Sequence, residues 1–277
     1  MPMRVMTSLD VPDGMRLKEL ANWNQTEQDW QLFLSANPQG CFVAEVHGRV
    51  VGTVTTMIYE NRFAWVGMVL VEPEFRKRGI GSALLERAIK HLESRGIACM
   101  KLDATPQGKP VYQKLGFVSE YEIDRWRLKR SVKPIKPCTA SGKVEDALYI
   151  DREVFGADRS ALLKALSQSA PEFVRVLTPP TDPAGYTFGR HGSHSDHLGP
   201  WIAYGQGPAA ELLAAFLARS SREAVVVDCL AANPWARGLL KANGFEFARP
   251  LTRMYRGENK YPGRPEAVCA VLGPEFG

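Results

Sequence analysis

Residues 66–85 read VGMVLVEPEFRKRGIGSALL. An apolar run rich in β-branched residues ends at Val71, the chain turns at Pro73, and Arg76-x-x-Gly79-x-Gly81 opens a helix. Glycine at those positions lets a backbone come close to a ligand. The first N–H groups of a helix have no partner in the helix, and its dipole adds positive charge at that end. Arg76, Lys77 and Arg78 add more. Such a strand–loop–helix is built for a compact anion such as a pyrophosphate. Counted from Gly81, Leu84, Leu85, Ala88, Ile89 and Leu92 fall at +3, +4, +7, +8 and +11, one face of a helix that Gly96 ends. Two better-known phosphate loops are absent. There is no GxxxxGK[ST], and no GxGxxG in a βαβ setting.

Outward from this stretch, the first half reads as hairpin, strand, helix, strand, helix, strand. CFVAEVHGRVVGTVTTMIY turns at His47-Gly48, and Ala64–Val71 is the third strand. Cys99–Leu102 is the next strand, Pro110–Leu115 a short helix and Tyr121–Leu128 the last strand. Residues 131–142, SVKPIKPCTASG, break all periodicity and predict a linker. The second half repeats the pattern. Adding 128 carries Gly79 onto Gly207, Leu84-Leu85 onto Leu212-Leu213, Pro106 onto Pro234 and Gly116-Phe117 onto Gly244-Phe245, an internal duplication.

A second motif follows about 35 residues after the first: Val111-Tyr112-Gln113-Lys114-Leu115-Gly116-Phe117. Together, Arg76-x-x-Gly79-x-Gly81 and this segment resemble the acetyl-CoA motif and the "LYxKxGF" segment of the GNAT superfamily of N-acetyltransferases. WVGMVLV and LDATPQGKPVYQKLGF further resemble a tandem, YitH-like subgroup. The resemblance implies an α/β (α+β) protein with tandem GNAT folds, each a mixed, mostly antiparallel sheet flanked by helices. It implies a GNAT domain over 1–130 that binds acetyl-CoA, and a degenerate GNAT-like domain over 143–277 on the substrate side or in a structural role.

The implied activity is direct transfer of an acetyl group from acetyl-CoA to a primary amine of a small molecule, without metal. The alternative is a non-catalytic acyl-CoA sensor. By the resemblance, the backbone of Val69, Leu70 and Val71 holds the pantetheine arm, with an N–H near Val69 on the thioester carbonyl. Arg76, Lys77, Arg78, Gly79, Ile80, Gly81 and Ser82 hold the pyrophosphate, and Tyr112 protonates the leaving thiolate. The family often has Asn and Ala where this chain has Thr105 and Gly108. For the general base, Glu45, Glu60, Glu72 and Asp103 are candidates, with Asp103 at the end of the strand beside the cofactor strand; a solvent relay is the other option. The second copy keeps Asn233 and Ala236 but has Leu240 for the Tyr, Pro208 and Ala209 for Ile80 and Gly81, and a shortened loop without basic residues. Only the N-terminal half is expected to bind acetyl-CoA.

Trp23 and Asn24, ahead of the hairpin, and Asp196 are candidate substrate contacts, with the acceptor pocket expected between the domains. In GRHGSHSDHLG, His191, His194, His197 and Asp196 have metal-like spacing. The glycines instead predict a loop, either substrate-facing or plain surface, and no metal is assigned. Composition is that of a globular chain: 277 residues, 45% hydrophobic, 23% charged. No apolar run reaches membrane-spanning length and no leader is visible, so the expectation is a cytoplasmic protein with no membrane partner. A net charge of +5 is too small to argue for nucleic acid. Five scattered cysteines read as free thiols. A homodimer is left open. The C-terminal stretch reads as exposed, with a strand at Val268–Leu272.

Overall fold

The computed structural model describes residues 2–131, 142–177 and 184–277. Positions 132–141 of the expected linker, Cys138 among them, lie outside the described residues. In chain order the elements are β1 (Met3–Val5), α1 (Val11–Leu20), α2 (Glu27–Ala36), β2 (Phe42–Val46), β3 (Arg49–Tyr59), β4 (Phe63–Val71), α3 (Ile80–Ser94), β5 (Cys99–Ala104), α4 (Lys109–Lys114) and β6 (Val118–Lys129). The second series is α5 (Val144–Phe155), α6 (Ser160–Ser169), β7 (Arg175–Leu177), β8 (Gly185–His191), β9 (Asp196–Ala203), α7 (Gln206–Arg219), β10 (Ala224–Leu230), α8 (Ala236–Ala242), β11 (Glu246–Gly257) and β12 (Val268–Ala270).

Local chemistry explains the elements that frame the site. His47 (φ +51°) and Gly48 (φ +75°) are both left-handed, the two-residue turn that matches the twist of β2 and β3. Helix α3 buries Ile80, Leu84, Leu85, Ala88, Ile89 and Leu92 along one face, against a core that includes Phe42, Val54, Val66 and Leu102. Thr26 opens α2 with a capping box closed by Asp29.

Two compact units result. One comprises the chain up to Ser119 with Met254–Lys260 and Phe276; the other comprises Glu120–Arg253, Tyr261–Glu275 and Gly277. The sequence boundary near 130 follows the duplicated pattern, whereas compactness cuts within the long strands β6 and β11. Residues 123–129 of β6 pair antiparallel with β10 in unit 2, and the end of β11 falls in unit 1, next to β5. Gly257 comes so close to β5 there that a Cβ would lie 1.9 Å from the Ala98 carbonyl oxygen. A repeat in sequence records which elements correspond; compactness records which backbone groups are paired.

In unit 1 the strand order is β1-β2-β3-β4-β5 and then the end of β11. All pairs through β4 are antiparallel, and β4–β5 is parallel. In unit 2 the order is β6-β10-β12-β9-β8-β7, with β10 and β9 also paired directly and in parallel. Its core holds Trp126, Trp201, Leu212, Phe216, Val225 and Leu240, among others.

Two expectations are corrected. The segment 189–199 is a β-hairpin of β8 and β9 rather than a loop, and every residue of β9 is buried. The C-terminal stretch is not exposed to its end. After β12 the chain stays largely buried, with Phe276 stacked on Phe33 (centroids 4.6 Å apart) and its carbonyl accepting from Tyr59 Oη at 2.8 Å. The four described cysteines, Cys41, Cys99, Cys229 and Cys269, are buried. Burial pushes the Cys41 thiol up to about 11 and the Cys269 thiol up to about 12, so neither is a nucleophile at neutral pH. No helix among the described residues is long and apolar enough to cross a membrane.

Candidate active site

The site is assembled where β4 ends and α3 begins. Strand β4 pairs with β5 only through Ala64–Met100 and Trp65–Lys101. Beyond that point the two strands diverge, and the ladder gives no β5 partner to the rest of β4. A bulge accompanies the divergence. Thr53 faces Leu70 and Thr55 faces Gly67, so Val54 stands opposite both Met68 and Val69. Met68 has φ +49°, a backbone state that costs a non-glycine residue about 1–3 kcal/mol. The fully buried Thr53 hydroxyl donates to the Met68 carbonyl at 2.8 Å and holds the kink. Thr53 was not legible from the sequence as a site residue, because nothing in TVTT distinguishes a structural threonine from one that pins a bulge.

The loop between β4 and α3 is fixed at both ends. Glu72, nearly fully buried, accepts from Arg16 Nη1 at 3.0 Å and from Arg49 Nη2 at 2.5 Å. With both oxygens in ion pairs, Glu72 anchors the loop and is not an available base. Arg76 Nε donates back to the Val71 carbonyl at 2.9 Å, and Arg76, Lys77 and Arg78 are exposed. The guanidinium of Arg78 lies 5.2 Å from the Phe75 ring centroid.

Gly79 caps α3 at φ +80°, which explains the glycine. Gly81 is different. Its backbone is ordinary, and an added Cβ would meet Val71 Cγ2 at a comfortable 3.6 Å. The protein's own packing does not demand this glycine, whereas close approach of a ligand to the backbone would. The first intrahelical bond reaches Gly79 from Ala83, leaving the N–H groups of Ile80, Gly81 and Ser82 for another acceptor. Bare backbone, free N–H groups and three cations fit an anionic cofactor.

Tyr112 stands on α4 with its ring edge-on to Phe117, centroids 6.1 Å apart. Desolvation pushes its phenol up to about 12, so it is a protonated donor at neutral pH. A Cβ on Gly108 would lie 2.9 Å from Tyr112 Cε2, so the glycine makes room for this ring. Thr105 Oγ1 accepts from the Gly108 N–H at 3.1 Å, closing the turn that leads into α4. The pair Thr105 and Gly108 is therefore a matched local solution. Asp103 lies near the end of β5, half-buried and engaged with other groups. Trp23 and Asn24 sit in the connection from α1 to α2 in unit 1, where the Trp23 N–H bonds the Lys18 carbonyl.

Asp196 belongs to unit 2 and is fully buried. One oxygen is 2.7 Å from His191 Nδ1 and 3.5 Å from Arg222 Nε, and the other accepts from Ser220 Oγ at 2.8 Å. Its carboxylate is committed to the end of the β8–β9 hairpin, which corrects its expected place on a substrate-facing loop. His191 Nε2 turns to Glu172 at 2.7 Å, and His197 Nε2 lies 3.1 Å from Asp228. Among the described residues no cluster of three or more His, Cys, Asp or Glu could hold a metal.

In unit 2 the matching junction is closed. Strand β9 also bulges, with Phe188 opposite Gly199 and Pro200, but only Tyr204 and Gly205 separate β9 from α7. Strands β9 and β10 pair from Val225–Asp196 to Val227–Leu198 and then part. β12 fills the gap, pairing with β9 at Ile202 and Trp201 and with β10 at Cys229. Asn233 Nδ2 donates to the Val268 carbonyl at 3.0 Å, holding β12 in place.

Known proteins bear on this geometry. Residues 8–117 match the Acetyltransferase (GNAT) family and residues 147–270 match an Acetyltransferase (GNAT) domain. The holothin acyltransferase of Pseudoalteromonas sp. (strain SANK 73390) is 26% identical over 92% of this chain and 87% of its own length. The N-acetyltransferase YitH of Bacillus subtilis, itself uncharacterised, is 24% identical over 72% of each chain. Among solved structures, a Pyrococcus horikoshii protein assigned as an acetyltransferase superposes with TM-score 0.82 at 23% identity, covering 100% of this chain and 95% of that one. With GNAT matches in both halves, the chain belongs to the GNAT acetyltransferase family as a tandem member and is an acyltransferase.

Proposed function

We propose that the chain transfers an acetyl group from acetyl-CoA directly to a primary amine of a small molecule, at a single cofactor site in unit 1. The observation that carries this reading is the pairing of an opened β4 edge with a basic, bare-backboned loop at its end. The corresponding opening in unit 2 is filled by β12, which supports one site per chain. A relative aligned along 92% of the chain is named for acyl transfer with holothin, in keeping with transfer by a chain of this length.

The residues have distinct tasks in this reading. Arg76, Lys77, Arg78 and the N–H groups of Ile80, Gly81 and Ser82 hold the pyrophosphate. The backbone of Val69, Leu70 and Val71 aligns the pantetheine arm, with the Val69 N–H toward the thioester carbonyl. Acetyl-CoA supplies the activated acyl group. Tyr112 holds a proton at Oη. A thiol ordinarily titrates near 8.5, so a phenol near 12 does not give up its proton unaided. Tyr112 donates a hydrogen bond to the departing sulfur and passes the proton on as the one lost by the attacking amine replaces it. Asp103 is the proposed base that takes one proton from the ammonium form of the substrate before attack, the second passing to Tyr112, and Trp23 and Asn24 are proposed contacts of the amine substrate.

The test is calorimetric titration of acetyl-CoA into the wild type and an Arg76→Ala/Gly79→Ala variant. One site per chain, lost in the variant, is the expected result. Undetectable binding to the wild type, or unchanged binding to the variant, overturns the reading.

A further inference from the structure

A cavity of about 270 Å³ opens in unit 1 between α3 and the β1–β2 edge of the sheet. Arg87, Lys90 and His91 line it from one face of the helix, at i, i+3 and i+4, and Phe42 and Val5 line it from the strands. No Asp or Glu lines it. The His91 ring stands edge-on to Phe42, centroids 5.7 Å apart, and the Arg87 guanidinium lies 5.2 Å from the Phe42 centroid. His91 Nε2 is buried and has no hydrogen-bond partner among the described residues. A buried polar atom left in that state costs about 1–3 kcal/mol, a cost that a ligand can remove. Desolvation and the charges of Arg95 and Arg87 hold His91 below the ordinary imidazole value, so the site lacks a negative partner. The proposed acyl transfer uses none of these residues. His91 stands eleven residues along α3 from Ile80, or about 16 Å.

We infer that this cavity is a second ligand site, for a small organic oxyanion with an apolar body. The carboxylate or phosphate end meets Arg87, Lys90 and His91 Nε2, and the apolar body rests on Phe42 and Val5. A volume near 270 Å³ is at the small end of ligand pockets, which limits the occupant to about the size of a single ring with its substituents.

The test is NMR titration of the full chain carrying ¹⁵N-histidine, with His91→Asn to assign the resonance. The probes are benzoate, phenyl phosphate, inorganic phosphate and, as the neutral control, benzyl alcohol. Saturable movement of the His91 signal with benzoate or phenyl phosphate is expected, whichever anion proves tighter. In the Arg87→Gln/Lys90→Gln variant, both positions being exposed, affinity should fall by about tenfold or more. Unchanged acetyl transfer by that variant confirms its fold. Absence of saturation with every anion, equal affinity in the variant, or an equal response to benzyl alcohol overturns the inference. Inorganic phosphate binding as tightly as phenyl phosphate overturns the apolar half of it.

Discussion

The β4–α3 junction of unit 1 and the β9–α7 junction of unit 2 start from the same plan and end differently. Both have a strand that parts from its parallel neighbour and then bulges. In unit 1 residues 72–79 follow the strand, carrying three cations and a left-handed glycine cap, and the parted edge of β4 stays open toward β5. In unit 2 two residues follow the strand, and the parted edge is satisfied by β12. An open strand edge must find partners for its N–H and C=O groups. Unit 2 finds them in its own chain. Unit 1 leaves them for something else, and that difference is what supports the proposal of a single cofactor site in unit 1.

The sharpest break in this comparison is at Tyr112, whose place in the second copy is taken by the buried Leu240. Tyr112→Phe should lower kcat by about 10²–10⁴-fold with acetyl-CoA affinity unchanged, as read by steady-state kinetics and calorimetry. Leu240→Tyr should add nothing to kcat. Gly108→Ala, which pushes a Cβ at the Tyr112 ring, should also reduce kcat, although its counterpart Ala236 is already alanine.

Next in size is the cap of the second short helix. Asn233 Oδ1 accepts from the Trp235 and Ala236 N–H groups at 3.0 and 2.9 Å, while its amide holds β12. Asn233→Ala should cost about 1–3 kcal/mol and speed hydrogen exchange of the β12 amides. Thr105→Ala, at the corresponding turn in unit 1, removes one bond and holds no plugging strand. It should cost about 0.5–1 kcal/mol in chemical denaturation. If the two variants cost the same, β12 is not held through Asn233.

The smallest effect concerns pH. The hydrogen bond that His191 donates to Asp196 raises the His191 pKa above the ordinary imidazole value, aided by the charges of Asp196 and Glu172 and opposed by desolvation. Protonated His191 therefore favours the folded state. Its contribution is complete below the unfolded pKa of about 6.5 and disappears as pH rises through the folded value. The His191 contribution to the melting temperature should fall as pH rises above about 6.5, and His191→Gln should flatten that part of the slope. An equal slope in the wild type and in His191→Gln would show that His191 is not held by these carboxylates.

Much of the site could be read from residue types. Gly79 needs a left-handed backbone, the cations need solvent, and α3 needs its apolar face; each leaves a mark in local sequence. Three features left none. The bulge rests on Met68, a residue type that does not advertise positive φ, and on Thr53 across the ladder. Glu72 reads from sequence as a candidate base, and the ion pairs it makes come from Arg16 and Arg49, distant in sequence. Asp196 sits among glycines that suggested a loop, yet those glycines allow close contacts within a hairpin. A Cβ at Gly189 would lie 2.5 Å from Phe216.

By itself, the sequence determined the duplication, the element types around β4 and α3, the basic glycine-containing loop between them, and the loss of that loop and of the tyrosine in the second copy. These depend on local propensity, periodicity and charge, which are properties of neighbouring residues. Tertiary structure alone decided which strands complete each unit, which carboxylates are already paired, and that the C-terminal strand fills the second opening. Those outcomes depend on hydrogen bonds and burial between residues far apart in the chain, such as Val268 with Ile202 or Arg125 with Asp228. No local pattern encodes such a pairing; it exists only when the chain folds and every buried polar group must find its partner.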